Sequence, residues 1–368
     1  MKLVRLYAYW AQNLGDDLMV HILLNRYPQY RFYCDDYDLD ETFRRYPNFC
    51  CKETFYERYG RLNHLINALT LGKNKTWFFD RVFRQIEKRI SSAVYIGGSL
   101  FMQDVQTNVE KRLSYERKRM SKGPLYIIGA NFGPYQTENF YVGFENYFAD
   151  CAGVTFRDKR SFELFKHLPN VNYAPDVVLN LKVACKHKAS NRILISVLDV
   201  SKRPSITQYA GQYESFIADV CTEVVRRDKT PVLMSFCNSE GDEDAIARVL
   251  DKLSVEVRRG TDTFFYNGNI DLALQQFQLA ERVIATRFHA MILALCFDKP
   301  FFSVSYNSKV KNVLDDIGIK TYCEISEISS VAVDAVLDSM TEPADISTYR
   351  EEAERQFHQF ERYMIDER

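Results

Sequence analysis

The chain alternates short apolar runs with glycine-rich or polar turns and helical segments. In the first half, the apolar runs that predict strands cover residues 3–8, 30–34, 93–98, 125–130 and 154–158. In the second half, they cover residues 192–198, 230–236, 283–285 and 300–304. Near-continuous apolar strands that lead into helices are typical of parallel sheets covered by helices on both faces. The pattern therefore predicts an α/β protein with two Rossmann-like, doubly wound domains that face each other across a cleft.

The length supports a division into two domains, because 368 residues exceed the size at which one core keeps growing. We place an N-terminal domain at 1–185, with an insert of weak periodicity at about 37–76, and a C-terminal domain at 186–345. A helix at 346–368 is expected to pack back across the cleft. Its predicted capping box is Thr348 and Glu351, and its apolar side holds Tyr349, Ala353, Phe357, Phe360 and Met364.

Charge and motifs exclude several protein classes. A formal net charge of -1 gives no reason to expect a nucleic-acid partner. The sequence has no G-x-G-x-x-G, no G-x-x-x-x-G-K-[ST] and no G-x-S-x-G, which disfavours dinucleotide binding, a P-loop and an α/β-hydrolase. The nine cysteines are scattered, without C-x-x-C or zinc spacing, so no metal site is expected.

The N-terminal segment lacks the apolar run of a signal peptide, and no segment has the ~20 apolar residues that span a bilayer. We therefore expect a cytoplasmic protein with reduced cysteines. A basic run between residues 111 and 122 usually marks a solvated helix face. If the substrate is carried on a lipid, it would also allow peripheral contact with the inner face of the membrane.

The segment from Glu281 to Leu295 reads as a buried strand followed directly by an apolar helix. Thr286 is the predicted N-cap, which puts Arg287 and His289 in the first helical turn. A helix N-terminus concentrates unpaired N–H groups and partial positive charge, so two basic side chains there predict an anion site. The same residues also fit an ordinary helix start with an exposed Arg287 and a packed His289.

Doubly wound sheets bind ligands at the carboxyl ends of their strands. The polar or glycine residues that follow predicted strands are therefore the candidate site residues: Asn13, Gly97, Gly98, Asn131, Arg157, Arg287 and His289. By contrast, Asp176 reads as a turn or cap residue, and the acidic run 240–244 reads as a helix N-terminus.

With these motifs the chain resembles the polysaccharide pyruvyl transferase family. N-L-G-D at 13–16 is similar to the family's N-x-G-D, and the glycine pair at 97–98 and Gly133-Pro134 resemble its next two elements. R-D-K-R-S at 157–161 resembles R-D-x-x-S, and P-D at 175–176 resembles its P-D element. R-F-H-A at 287–290 and Y-N-S-K-V at 306–310 resemble R-x-H-A and Y-x-x-K-V. The insert at about 37–76 matches none of the family's patterns.

The resemblance implies a fold like that of GT-B glycosyltransferases and a role in exopolysaccharide biosynthesis at the cell envelope. Phosphoenolpyruvate would be the donor, with no cofactor, and pyruvate would be delivered as a ketal onto a sugar of a polysaccharide or its lipid-linked precursor. The donor-binding residues would be Arg157, Arg287, Phe288, His289 and Lys309. The acceptor-binding residues would be Asn13, Asp16, Gly97, Gly98 and Asn131.

The chemistry of this reaction suits the residues at the motif positions. Arginine forks match both the carboxylate and the phosphate of phosphoenolpyruvate, which makes Arg157 and Arg287 catalytic candidates. Proton transfer needs a general acid–base, and His289 is the only histidine at a motif position. Two other functions remain open: a GT-B nucleotide-sugar glycosyltransferase, and a non-catalytic carbohydrate-binding protein. The R-x-H helix start, together with Arg157 and Lys309, favours pyruvyl transfer.

Overall fold

The computed structural model describes residues 2–35, 41–69, 77–120, 123–183, 190–340, 342 and 344–366. The chain forms two compact units. The first contains Met1–Tyr9, Met19–Val177 and Glu354–Arg368, and the second contains Trp10–Leu18 and Val178–Ala353. Residues 10–18, which the sequence analysis assigned to the N-terminal domain, thus belong to the second unit. The boundary expected at 185/186 lies among residues 184–189, outside the described residues.

The first unit is built on a parallel sheet of seven strands among the described residues. These are β1 Leu3–Tyr7, β2 Arg31–Cys34, β3 Phe49–Cys51, β4 Ile90–Ile96, β5 Leu125–Ala130, β6 Gly153–Phe156 and β7 Val171–Tyr173. Their order is β3-β2-β1-β4-β5-β6-β7. The order reverses at β1 and β4, which makes their carboxyl ends the topological switch point of this sheet.

The second unit repeats the same arrangement with six parallel strands in its described part. These are β8 Arg192–Ser196, β9 Thr230–Met234, β10 Asp262–Phe264, β11 Ala280–Ala285, β12 Phe301–Ser305 and β13 Tyr322–Glu324. Their order is β10-β9-β8-β11-β12-β13, so the switch point lies between β8 and β11. The predicted α/β class with two Rossmann-like parallel sheets is confirmed.

Helices connect successive strands in both units. In the described residues they are α1 Leu14–Arg26, α2 Lys52–Leu69, α3 Trp77–Glu87, α4 Val109–Met120, α5 Glu138–Asp150, α6 Lys159–Phe165, α7 Ala210–Arg226, α8 Asp242–Lys252, α9 Val255–Arg259, α10 Ile270–Leu279, α11 Phe288–Cys296, α12 Ser308–Asp316, α13 Val333–Ser339, α14 Ser347–Ala353 and α15 His358–Asp366. The central strands are apolar and buried on both faces: every residue of β5 is buried. No helix of the described part is long and apolar enough to cross a membrane.

Four strands, β3, β7, β10 and β13, were not predicted from the sequence, and all four lie at the edges of the two sheets. Each has only three residues. A three-residue segment is too short to show a strand periodicity, and an edge strand is buried on fewer sides than a central one. The predicted insert at 37–76 contains one of these edges: β3 and α2 form its middle. Residues 37–40 and 70–76 lie outside the described residues.

The C-terminal segment differs from the single capped helix that the sequence predicted. Helix α14 begins at Ser347, whose backbone N–H donates to Asp345 Oδ1 at 2.9 Å, so Thr348 lies inside the helix and is not its cap. A 3-10 turn at Glu354–Phe357 then separates α14 from α15. Ala353, Phe357, Phe360 and Met364 are buried. The packing of this segment across a cleft stays a prediction.

Candidate functional site

A first cluster, the Arg157 site, lies at the carboxyl ends of the adjacent strands β4, β5 and β6. It consists of Gly97, Gly98, Asn131, Arg157 and Asp176. The buried Arg157 donates from Nη1 to Asp176 Oδ2 at 2.8 Å and from Nη2 to Asn131 Oδ1 at 3.1 Å. Asp176, expected to be a turn or cap residue, is therefore the buried ion-pair partner of Arg157. No spacing rule could have joined these residues, because they follow different elements of the sheet.

The glycine pair after β4 makes room for Arg157. A side-chain carbon at Gly98 would collide with the guanidinium of Arg157, whose Nη1 would lie 2.7 Å away. Gly97 has a φ of 155°, a conformation that side chains rarely adopt. The Gly98 carbonyl accepts the Asn131 backbone N–H at 2.8 Å, which fixes the end of β4 to the end of β5. The pair therefore shapes this site through its backbone.

A second cluster, the Arg287 site, lies at the switch point of the second sheet. It consists of Asn13, Gly15, Arg203, Glu240, Asp242, Arg287 and His289. Strand β11 ends at Ala285 and α11 begins at Phe288, with Arg287 as the N-cap residue in an extended conformation. The prediction of Thr286 as N-cap is wrong: its hydroxyl instead accepts a hydrogen bond from Tyr213 at 3.0 Å. Ser196 Oγ, at the end of β8, accepts the N–H groups of Thr286 and Arg287.

Two carboxylates hold the guanidinium of Arg287, which is 7% exposed. Nε and Nη2 donate to the two oxygens of the fully buried Asp242, and Nη1 donates to Glu240. Asp242 also accepts the backbone N–H groups of Phe236 and Cys237, at 2.9 and 3.0 Å. Burial disfavours the charge on Arg287, but Asp242 and Glu240 outweigh it and raise the pKa of the guanidinium above its usual value.

Glu240 occupies the centre of the cluster. Its carboxylate accepts from Arg287, from Arg203 and, at 3.3 Å, from the side-chain amide of Asn13. Burial favours the neutral acid, but the two guanidinium groups outweigh it, and the pKa of Glu240 lies below its ordinary value. Unlike Asp242, its side chain is 27% exposed. Glu240 is thus the more accessible of the two carboxylates that hold Arg287.

The imidazole of His289 lies against the start of α1. Asn13 Oδ1 accepts the Gly15 backbone N–H at 3.0 Å, in the manner of a helix cap, and Asp16 lies in the first turn that follows. A side-chain carbon at Gly15 would collide with Nδ1, Cγ and Cε1 of His289. The ring of Phe288 contacts that of His289 edge-on, with centroids 5.2 Å apart. His289, half-buried, is thus held between a glycine backbone and an aromatic ring.

The Arg287 site has N–H groups that remain available to bind an anion. A guanidinium carries five N–H groups, and Arg287 directs three of them to carboxylates, so two have no partner among the described residues. Arg203 adds a second cation and lies 5.5 Å from the centroid of the Tyr306 ring. Lys309 is half-buried in the first turn of α12, at the carboxyl end of the neighbouring strand β12.

The structure therefore groups the predicted residues differently from their assigned roles. Asn13 and Asp16, expected on the acceptor side, belong to the second unit with Arg287, Phe288, His289 and Lys309, whereas Arg157 lies in the first unit with Gly97, Gly98 and Asn131. Arg203, Glu240, Asp242 and Gly15 were missed. One signal could have found two of them. Glu240 and Asp242 follow the predicted strand 230–236, whose carboxyl end belongs to the same edge of the sheet as that of β11.

Residues 13–308 match the family described as polysaccharide pyruvyl transferase. Among curated proteins, the chain is 24% identical over 266 residues to the amylovoran biosynthesis protein AmsJ of Erwinia amylovora. The match covers 63% of this chain and 60% of AmsJ, so the chain spans less than two thirds of the length of that relative.

Among solved structures, the chain is similar to UDP-GlcNAc 2-epimerase from Methanocaldococcus jannaschii. The TM-score is 0.57 at 10% identity, and the match covers 98% of this chain and 99% of the epimerase. A second structure of that enzyme, in complex with UDP-GlcNAc and UDP, gives a TM-score of 0.53 at 10% identity and covers 97% and 99% of the two chains. At this identity the similarity shows the fold alone, which is GT-B-like.

Proposed function

Because the chain belongs to the polysaccharide pyruvyl transferase family, we propose that it transfers the pyruvyl group of phosphoenolpyruvate onto sugar hydroxyls. The product is a pyruvate ketal on a polysaccharide or on its lipid-linked precursor. The observation that carries this proposal is the Arg287 site. There, a histidine and two arginines meet at a switch point, the position at which doubly wound sheets bind their ligands.

The reaction needs one proton transfer to carbon and two new C–O bonds. C3 of phosphoenolpyruvate gains a proton, C2 bonds to two sugar hydroxyl oxygens, and the C2–O bond to phosphate breaks. Of the two protons lost by the hydroxyls, one balances the proton gained by C3 and the other leaves with the phosphate. His289 is our candidate for moving these protons, because an imidazole can both accept and donate them near neutral pH.

The arginines of this site suit the negative charges of the donor. Arg203 and the two remaining N–H groups of Arg287 are proposed to bind its phosphate or carboxylate, since guanidinium forks match both groups. Asp242 holds Arg287 from the buried side, so the orientation of the fork is set before the donor arrives. Lys309, at the end of the next strand, is a third candidate donor contact.

The direct test is phosphate release from phosphoenolpyruvate across a panel of glycosides and lipid-linked sugars. We expect release only when an acceptor with two suitably placed hydroxyls is present, together with a ketal product seen by mass spectrometry. UDP-sugars serve as the comparison donors. Nucleotide release from a UDP-sugar, without phosphate release from phosphoenolpyruvate, would contradict the proposal.

A further inference from the structure

A cavity in the first unit lies at the amino ends of its strands, the opposite end of the sheet from the Arg157 site. The sheet register pairs Leu3 with Arg31 and Phe32 with Phe49, so the first residues of β1, β2 and β3 meet there. The cavity has a volume of about 810 Å³. This volume falls within the ~300–1,000 Å³ of small-molecule sites, and the residues of the proposed transfer reaction do not line it.

The walls of this amino-end cavity are largely aromatic and aliphatic. Tyr33, Phe49 and Phe55 line it together with Leu3 and Ile86. The rings of Tyr33 and Phe55 meet edge-on with centroids 6.4 Å apart. Such walls suit an apolar body, because burying apolar surface is the main favourable term in binding it.

Three arginines, Arg31, Arg58 and Arg89, also line the cavity, and all three are exposed. None of them forms an ion pair with a described residue, and no Asp or Glu of the described part lines the cavity. Several other arginines of this unit are ion-paired, among them Arg157 with Asp176 and Arg26 with Glu354 and Glu361. Three guanidinium groups without an ion-pair partner among the described residues therefore surround this partly apolar cavity and can bind an anion at its rim.

Two neutral polar side chains of the lining, Asn48 and Thr54, already have hydrogen-bond partners. The Asn48 amide donates to the carbonyls of Leu24 and Tyr27, at 2.9 and 3.2 Å. The Thr54 hydroxyl donates to the Cys51 carbonyl at 2.6 Å. The side-chain donors of Asn48 and Thr54 are thus already used, whereas the three arginines have no ion-pair partner within the part of the chain that the structure describes. The lining favours an anion over a sugar.

We infer that this cavity binds a phosphate monoester that carries an apolar chain or ring. Three cations match a dianionic phosphate better than a monoanionic carboxylate, and guanidinium forks bind phosphate oxygens in pairs. The apolar body lies against Phe49 and Phe55, and the phosphate lies at the arginine rim. The site does not depend on the transfer reaction, and the ligand is either a free amphiphile or a lipid of a membrane.

Calorimetric titration with dodecyl phosphate, at concentrations at which it is monomeric, tests the site on the full chain. We expect one bound molecule per chain and an affinity that falls about tenfold in each of Arg31→Gln, Arg58→Gln and Arg89→Gln, the usual size for one charge-assisted hydrogen bond. Lys88→Gln is the matched control, because Lys88 is exposed next to Arg89 but does not line the cavity. All variants should unfold at the temperature of the unaltered chain, since the changed side chains are exposed.

Two comparison ligands test the two parts of the site, and vesicles distinguish the source of the ligand. Inorganic phosphate and dodecyl maltoside should each bind at least 100-fold more weakly than dodecyl phosphate. Equal binding by either one, or an equal loss in Lys88→Gln and Arg89→Gln, would overturn the assignment. Phosphatidic acid vesicles that displace dodecyl phosphate identify a membrane lipid as the source, and vesicles that do not displace it identify a free amphiphile. Phosphate release from phosphoenolpyruvate should be unchanged in all four variants.

Discussion

The two strand-end arginine sites differ in how their charge is balanced. Arg157 and Arg287 both follow a parallel strand, and both are 7% exposed. Arg157 donates to the carboxylate of Asp176 and to the neutral amide oxygen of Asn131. Arg287 donates to two carboxylates, Asp242 and Glu240, and Arg203 supplies the second positive charge. Each cluster thus balances positive and negative groups, but the Arg287 site does so with four charged side chains.

This difference indicates which site is prepared to exchange an anion. In the Arg157 site the carboxylate is as buried as the arginine, so removing it would strand the cation. In the Arg287 site, Asp242 is buried and fixed by two backbone N–H groups, whereas Glu240 is partly exposed. In the proposed reaction, Glu240 would therefore give way to the phosphate or carboxylate of the donor while Asp242 keeps the arginine in place.

The largest expected effect is a loss of kcat on changing His289, the proposed proton-transfer residue of the Arg287 site. His289→Gln should lower kcat for phosphate release by ~10²–10⁴-fold while donor binding survives, the usual contribution of general acid–base catalysis. Glutamine keeps the volume and one hydrogen bond but cannot transfer a proton. His64→Gln, on an exposed face of α2, is the control. A His289→Gln variant that turns over at the original rate would remove His289 from the mechanism.

The next prediction compares the contributions of the two arginines to the free energy of unfolding. Arg287→Ala should lower the free energy of unfolding by ~3–5 kcal/mol, because it leaves the buried Asp242 without its cation. Adding Asp242→Asn should recover part of that loss. The coupling energy of this double-mutant cycle, measured by urea unfolding, should exceed that of Arg157 with Asp176, because both oxygens of Asp242 accept from the Arg287 guanidinium. Equal coupling energies would contradict the stronger support of the arginine in the Arg287 site.

A backbone change then tests the placement of His289. Gly15→Ala should lower kcat/KM by roughly 100-fold, because the added methyl must push the imidazole aside and small misplacements are costly in catalysis. Gly211→Ala adds the same methyl to another helix of the second unit, where no atom beyond the neighbouring residues and the helix's own backbone lies within 4 Å, and should leave kcat/KM unchanged. If both variants behave alike, the contact of His289 with Gly15 has no catalytic role.

The smallest kinetic effect concerns Glu240. Glu240→Gln should lower the KM for phosphoenolpyruvate by roughly threefold, because a competing negative charge is removed at the cost of the partly exposed ion pairs with Arg203 and Arg287. Steady-state kinetics at saturating acceptor would measure this change. The matched variant Asp242→Asn should instead raise the KM, because Arg287 then loses its fixed support. A higher KM in Glu240→Gln would mean that Glu240 orients Arg287 and does not occupy the position of the donor's phosphate or carboxylate.

The same carboxylate gives a pH dependence with a defined sign. The pKa of Glu240 in the folded protein lies below its ordinary value of 4.5, so its ion pairs contribute stability above pH 4.5. That contribution is lost as the pH falls from 4.5 through the folded-state pKa. Thermal unfolding followed between pH 6 and pH 3 should therefore show a flatter profile for Glu240→Gln than for the unaltered chain. Parallel profiles would show that Glu240 does not contribute to acid sensitivity.

The sequence by itself determined the fold class, the nine longer strands and the residues that follow several of them. Apolar runs such as 125–130 are readable because a strand buried on both faces has few polar residues. Motifs such as R-F-H-A at 287–290 are readable because their residues are close in the chain. The short edge strands β3, β7, β10 and β13 were not readable, since three residues carry no periodicity.

Only the tertiary structure decided which residues meet. Arg287 pairs with Asp242 across 45 positions, and Glu240 reaches Asn13 across 227. The sheet order brings the ends of β8, β9 and β11 to one edge, and no sequence spacing encodes that order. The contact between Gly15 and His289 also joins residues that are far apart in the chain. The reason for a glycine in this N-x-G-D motif, which is to leave room for the imidazole, can therefore be seen only in the fold. Local chemistry can be predicted from neighbours in the chain, whereas a site made of distant segments depends on how the sheet assembles them.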